Sequence, residues 1–328
     1  MSILLATTGW DISLWLAAFK AQAPQREIVT PDSTELSPSN TVLSPSSTWR
    51  SSKVRYACVW KPPAGLLAGL PNLEVIVNLG AGVDAILADP TIPKHIPIIR
   101  SLDHNITMRM TEWVVLQVLY QHRQMPAYLA QQRQRVWRDL PQEAASAVTV
   151  GIMGAGVLGQ RAATILKALG FDVIGWSRTA KPELGFPVHH GDDGLGAFLG
   201  LTDILVCLLP LTPETTGLLN YELLRRLKRH GPLGGPVLIN GGRGKEQVAG
   251  DILRALDDGT LTAATLDVFD PEPLPATSPL WLHPKLTITP HVAADSDPGT
   301  MTAYVLGQLA RHEAGQPMDN VVERARGY

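Results

Sequence analysis

The reading turns on Val148-Thr149-Val150-Gly151-Ile152-Met153-Gly154-Ala155-Gly156-Val157-Leu158-Gly159, which continues as QRAATILKALG to Gly170. An apolar run, Val148–Met153, has the length and β-branched character of a buried strand. It enters a Gly-Ala-Gly-Val-Leu-Gly turn, and a helical pattern follows to about Leu169. Gly154 permits the tight turn. Gly156 lets the backbone approach a pyrophosphate, and Gly159 lets helix pack on strand. The new helix, beginning near Val157 and Leu158, presents unpaired N–H groups and a partial positive charge to phosphate. A lone G-x-G-x-x-G says little. Here a strand precedes it, a helix follows, and a second strand, Asp172–Trp176, comes next. That context predicts a dinucleotide site.

The end of the second strand bears on which dinucleotide. NAD sites usually place Asp or Glu there to accept from the ribose 2′-hydroxyl. This chain reads Trp176-Ser177-Arg178-Thr179-Ala180-Lys181. Ser177 is suited to hydrogen-bond a 2′-phosphate, Arg178 to pair with it through a planar fork, and Lys181 to add charge. NADP(H) is therefore expected over NAD(H), which stays as the alternative.

Outward from this unit the alternation is regular. Strands are predicted at Asp203–Leu208, Pro236–Asn240, Thr262–Val268 and Leu286–Thr289, with helical patterns between several of them. Short apolar runs separated by helices indicate a parallel sheet covered on both faces. Upstream, strands at Ser2–Ala6, Tyr56–Trp60 and Leu73–Leu79 predict a smaller α/β domain within residues 1–100. Residues 31–52 are rich in Ser, Pro and Thr and predict a surface loop or insertion. A long helical stretch over 110–135 joins the halves, with a kink or break expected at Pro126. A last helix is expected over Thr300–Ala314.

Composition narrows the function classes. The 328 residues carry 28 basic against 30 acidic side chains, so nothing favours nucleic acid or an anionic membrane as partner. With 45% apolar and 18% charged residues the chain can bury a sizeable core, and global disorder is excluded. Cys58 and Cys207 are too few for a disulfide framework or a Cys-based zinc site, and they sit in apolar runs as buried thiols. No metal site is expected. No apolar run reaches the roughly 18 residues of a membrane helix, and MSILLATTGWD lacks a basic signal-peptide start. A cytoplasmic protein is the expectation.

Three later segments carry the chemistry. Val237–Gly244 ends a strand and puts Arg243 among glycines. LDVFDPEPLP (266–275) contains Asp267 and Glu272, and ITPHVAA (288–294) contains His291. Each follows a predicted strand of one sheet, so the three are expected to converge at its carboxyl edge.

These segments, together with NLGAGVD (78–84), WSRT (176–179), SPLW (278–281) and RARGY (324–328), resemble the D-2-hydroxyacid dehydrogenase family, and within it the glyoxylate/hydroxypyruvate reductases. The resemblance spans nearly the whole chain outside the Ser/Pro-rich stretch. It implies a Rossmann-type doubly wound parallel sheet over 103–292 and a smaller flavodoxin-like α/β substrate domain from 1–102 and 293–328, with the active site in a cleft. It implies His291 as general acid, Glu272 as the partner that fixes and charges the imidazole, and Arg243 as the group that binds the substrate carboxylate and polarises the carbonyl. It places Ala81 and Gly82 at the substrate carboxylate and Trp60 as a wall of the pocket or a core residue. Asp267 falls at the nicotinamide carboxamide, and Pro210 beside the cofactor. The implied reaction is NADPH-dependent reduction of a small 2-keto acid, glyoxylate or hydroxypyruvate. A bulkier 2-keto acid such as phenylpyruvate, or dinucleotide sensing without turnover, are the alternatives. A homodimer through the 110–135 helix is implied as well, with Trp137 reaching the partner's pocket.

The chain also departs from the family pattern. Gly241-Gly242 precede Arg243 where the family commonly has alanine, and Gly244-Lys245-Glu246 replaces a more apolar continuation. Extra backbone freedom at the glycine pair predicts a blurred placement of Arg243.

Overall fold

A computed structural model describes residues 2–31 and 51–328. The loop expected over 31–52 therefore lies almost wholly outside the described residues. The chain begins with β1 (Ser2–Thr7), α1 (Ile12–Gln22), β2 (Glu27–Val29), β3 (Val54–Trp60), β4 (Val75–Asn78), α2 (Asp84–Leu87) and β5 (Ile98–Arg100). Two long helices follow, α3 (His104–His122) and α4 (Met125–Gln134). Then come β6 (Thr149–Met153), α5 (Val157–Ala168), β7 (Asp172–Ser177), β8 (Val188–His190), α6 (Gly191–Leu201) and β9 (Ile204–Cys207). The chain finishes with α7 (Tyr221–Leu224), β10 (Val237–Asn240), α8 (Ala249–Asp257), β11 (Ala263–Leu266), β12 (Leu286–Ile288) and α9 (Pro298–Glu313).

These elements form two compact units, residues 1–106 with 295–328, and residues 107–294. The first unit holds a five-stranded parallel sheet in the order β2-β1-β3-β4-β5, the flavodoxin-like arrangement. Leu4, Val59, Ile76 and Ile98 are fully buried in its core. α1 and α9 belong to this unit, and Arg26, between α1 and β2, meets Glu313 at the end of α9 through two hydrogen bonds of 2.7 and 2.8 Å.

The second unit holds a seven-stranded parallel sheet, β12-β11-β10-β9-β6-β7-β8. Read from β8, this is the doubly wound dinucleotide order with one strand added beyond β11. Apolar clusters flank it, one around Phe198, Leu238 and Leu256, the other around Val114, Ile152 and Leu166. The strands are in register at their carboxyl ends. Trp176, Met153, Cys207, Asn240, Leu266 and Ile288 pair successively across the sheet. Every segment leaving this row starts from one edge.

Two expectations need correction. The break near Pro126 falls earlier, at Gln124, which has a left-handed φ of 54°. Pro126 instead sits in the first turn of α4, where its missing N–H leaves no helical bond unmade. Strands β2, β5 and β8 were also not anticipated. Each is three residues long and lies at a sheet edge, too short to show periodicity in sequence.

Candidate active site

At the row's centre, Gly154 turns the chain with φ 112°, and a Cβ there would meet Leu208 O at 2.8 Å. A Cβ on Gly159 would fall 2.2 Å from Gly154 O, so only glycine lets α5 start this close to β6. Gly156 differs: a Cβ there would meet nothing within 4 Å. Its backbone faces open space at the N-terminus of α5, beside an exposed Val157 and a partly buried Leu158. That is the shape a phosphate needs. At the end of β7, Ser177 is buried and its hydroxyl donates to Thr179 O at 2.7 Å, locking the turn. Arg178 is half-exposed, with Nη1 4.0 Å from Glu214 Oε2, and Lys181 is exposed. Pro210, just after β9, is held by Thr215, whose hydroxyl donates to its carbonyl at 2.8 Å.

His291, Glu272 and Asp267 form one connected group beyond β11 and β12. His291 adopts a left-handed φ of 55°, and its N–H donates to Asp267 O at 2.7 Å. Its Nδ1 lies 2.8 Å from Glu272 Oε2 and 3.0 Å from Oε1. Glu272 is itself anchored, because Oε1 accepts from Phe269 N–H at 3.1 Å. The Asp267 carboxylate is buried and accepts from the backbone of Val292 and Ala293, each at 3.0 Å, and from the Thr289 hydroxyl. Burial pushes its carboxyl above the ordinary value, against the opposing pull of those donors. Asp267 thus fastens the loop that carries His291, and with three donors on about four lone-pair sites it keeps room to accept one more hydrogen bond.

The Arg243 loop is fastened as firmly, contrary to the freedom expected of its glycine pair. Gly242 N–H donates to Asn240 Oδ1 and Arg243 N–H to Glu246 Oε2, both at 3.0 Å. The Asn240 amide donates to Gln247 Oε1 at 2.9 Å, and the Gln247 amide donates to Val268 O at 2.8 Å. A Cβ on Gly244 would lie 2.0 Å from the Phe269 carbonyl. This glycine is what lets the Arg243 loop touch the segment leading to Glu272. Trp113 closes the group: its ring covers Gly241, and its Nε1–H donates to the Thr289 hydroxyl at 3.3 Å.

In the first unit, Ala81 and Gly82 lie in the turn after β4, both partly exposed. The Asn78 amide donates to Gly80 O at 2.7 Å and Gly82 O at 2.9 Å, turning these carbonyls inward. Trp60, at the end of β3, is mostly buried, and its ring covers Gly80, where a Cβ would fall within 3.1 Å of three of its atoms. Trp10 stacks on the same ring with centroids 4.5 Å apart.

Sequence reasoning passed over Asn78, Trp113, Asn240 and Gln247, and noted Glu246 only as a departure from the family pattern. Asn78 and Asn240 each end an apolar strand, and a lone amide at that position was the available signal. Trp113 looked like any core position of a helix. Among the described residues, no cluster of three or more His, Cys, Asp or Glu is disposed to hold a metal ion. No described helix is long and apolar enough to cross a membrane.

Comparison with known proteins places the chain in a family. Residues 115–293 match the family model described as D-isomer specific 2-hydroxyacid dehydrogenase, NAD binding domain. The chain is 38% identical over 336 aligned positions to glyoxylate/hydroxypyruvate reductase A of Escherichia fergusonii, covering 100% of both. It also matches the crystal structure of an NADPH-dependent glyoxylate/hydroxypyruvate reductase from Sinorhizobium meliloti in complex with NADP and sulfate, at 44% identity, TM-score 0.91 and 100% coverage of both chains. A D-isomer specific 2-hydroxyacid dehydrogenase from Xanthobacter autotrophicus Py2, in complex with NADPH and MES, matches at 38% identity, TM-score 0.90 and 99% coverage of both. The chain belongs to the D-isomer specific 2-hydroxyacid dehydrogenase family.

Proposed function

We propose that this protein is an NADPH-dependent reductase of small 2-oxoacids, glyoxylate and hydroxypyruvate foremost, giving the D-2-hydroxy acid. The observation that carries the reading is the His291–Glu272 pair, rising from the same sheet edge as Arg243 and the glycine loop. A dinucleotide fits the residues present: Gly156 leaves its backbone open at a helix N-terminus, and Arg178 and Lys181 follow β7 where a carboxylate would select NAD. Gly154, Gly156, Val157, Leu158, Gly159 and Pro210 would hold its phosphates and flank it. Reduced nicotinamide, when bound, supplies the hydride.

The chain's own residues do the rest. Arg243 would take the substrate carboxylate in a two-pronged ion pair and draw charge toward the carbonyl oxygen. Ala81, Gly82 and Trp60 are carried as substrate-side residues by the resemblance to the family alone. Glu272, at Nδ1, fixes the tautomer and orientation of the imidazole. His291 would then give its Nε2 proton to the carbonyl oxygen as the hydride reaches carbon, leaving a neutral hydroxyl. Asp267 keeps the His291 loop in place throughout.

A homodimer through α3 and α4 forms part of the proposal. Trp137, just beyond α4, is fully exposed, and Val136 and Leu116 are exposed beside or within these helices.

The test is NADPH and NADH oxidation over a panel of glyoxylate, hydroxypyruvate and phenylpyruvate. Turnover of the two small acids with NADPH is expected. Preference for phenylpyruvate would change the substrate class. Tight NADPH binding without turnover on any 2-oxoacid would point to dinucleotide sensing instead.

A further inference from the structure

Glu246 is fully buried. A buried carboxylate is costly unless it is hydrogen-bonded, so its partners show what it does. Oε2 accepts from the backbone N–H of Arg243 at 3.0 Å. The Cys207 thiol, also buried, lies 3.6 Å from the same oxygen. The backbone of Glu246 is held too, since its carbonyl accepts from Leu219 N–H at 2.8 Å and its N–H donates to Arg243 O at 3.2 Å. A Cβ placed on Gly242 would fall 2.3 Å from Glu246 Oε2. The carboxylate of Glu246 therefore occupies the volume that a side chain at residue 242 would need.

We propose that Glu246 is a positioning residue for Arg243 in binding the 2-oxoacid, and that residue 242 is glycine because the Glu246 carboxylate fills the space of its methyl group. This rests on the proposal that Arg243 binds the substrate carboxylate. Glu246 grips the arginine at its backbone while Asn240 grips Gly242, so the root of the side chain is fixed from both sides. Removing the grip would loosen the guanidinium and leave the glycine loop at 154–159 untouched.

The experiment compares the full-length protein with E246A, E246Q, G242A and the double variant G242A/E246A. It measures KM for glyoxylate and hydroxypyruvate, kcat, NADPH Kd by fluorescence, and Tm. E246A is expected to raise KM about tenfold, with kcat falling less and NADPH Kd within about twofold. E246Q, whose amide oxygen can accept the same N–H, should recover most of that loss. G242A alone should lower Tm, and E246A in the same chain should restore part of it, because the 2.3 Å clash goes with the carboxylate while the Leu209 carbonyl oxygen, 3.0 Å from the new methyl, stays. The proposal is overturned by an E246A enzyme with wild-type KM, by an E246Q enzyme whose KM is no better than that of E246A, or by a double variant whose Tm loss is the sum of the single losses. If E246A does not fold, E246S, which keeps a small polar side chain and removes the carboxylate, takes its place in the KM measurement and in the Tm cycle with G242A. Failure of the wild-type protein to turn over any 2-oxoacid would count against the proposed function instead, and the Tm cycle would still decide whether Gly242 and Glu246 are matched.

Discussion

Glu272 engages His291 through both carboxylate oxygens at a single ring nitrogen, Nδ1, at 2.8 and 3.0 Å. A carboxylate there requires a proton on Nδ1 and leaves Nε2 as the nitrogen that exchanges one with substrate. His291→Ala should therefore lower kcat by about 10²–10⁴-fold with NADPH Kd little changed. Glu272→Gln should cost about 10–100-fold in kcat, since the amide supports the ring without charge. Steady-state kinetics beside fluorescence titration of NADPH check both, and a near-wild-type rate for His291→Ala would remove the acid assignment.

Arg243 is to be tested by Arg243→Lys. Lysine keeps the charge and loses the planar fork that matches a carboxylate. An expected fall of about 10²-fold in kcat/KM for glyoxylate, carried mainly by KM, separates binding geometry from simple charge. An unchanged KM would place the substrate carboxylate elsewhere.

Arg178 is half-exposed at the end of β7, and its effect should be confined to the cofactor. Arg178→Ala should reduce the NADPH over NADH ratio of kcat/KM by about 10–100-fold, the worth of a charge-assisted contact to a phosphate. Because Ser177 already donates to Thr179 O, Ser177→Ala should reduce the ratio less. Equal ratios in wild type and Arg178→Ala would end the 2′-phosphate reading.

Asp267 receives three donors in a buried site. Asp267→Ala orphans all three and should destabilise the protein by about 3 kcal/mol, seen as a fall in Tm. It should also lower kcat, because the loop it fastens carries His291. Retained Tm with lost NADPH affinity would identify Asp267 as a cofactor contact above all.

The Arg26–Glu313 pair gives a pH signature in the other unit. Arg26 holds the Glu313 carboxyl below its ordinary value, chiefly through their hydrogen bonds. A depressed folded-state value means the stabilisation is present above the ordinary carboxylate range and is lost as pH falls through the folded value. Glu313→Gln should cost about 1 kcal/mol near neutral pH, and the gap to wild type should close as acid protonates Glu313. Urea unfolding at several pH values measures it, and a gap independent of pH would contradict the assignment.

Much of the fold was legible because its signals are local. The glycines at 154, 156 and 159 answer to backbone sterics within a few residues, and the buried strands show as apolar runs. Strands β2, β5 and β8 were not legible, because three residues at a sheet edge, with Glu27, Arg100 or His190 among them, carry no periodicity. Pro126 was misread because proline breaks a helix or begins one according to where the preceding turn ends, here at Gln124.

The chain's own order of residues was enough to name the glycine turn, the basic end of β7 and the three segments bearing Arg243, Glu272 and His291. Their meeting was decided in three dimensions. Asn240, Leu266 and Ile288 pair side by side only because β10, β11 and β12 are adjacent and in register, a long-range choice that no local pattern encodes. Gly244 then admits the Phe269 backbone, and Glu246 fills the space beside Gly242. Close packing makes each of these contacts depend on residues distant in sequence, so what looked like looseness before Arg243 is in the folded protein a filled and hydrogen-bonded seat.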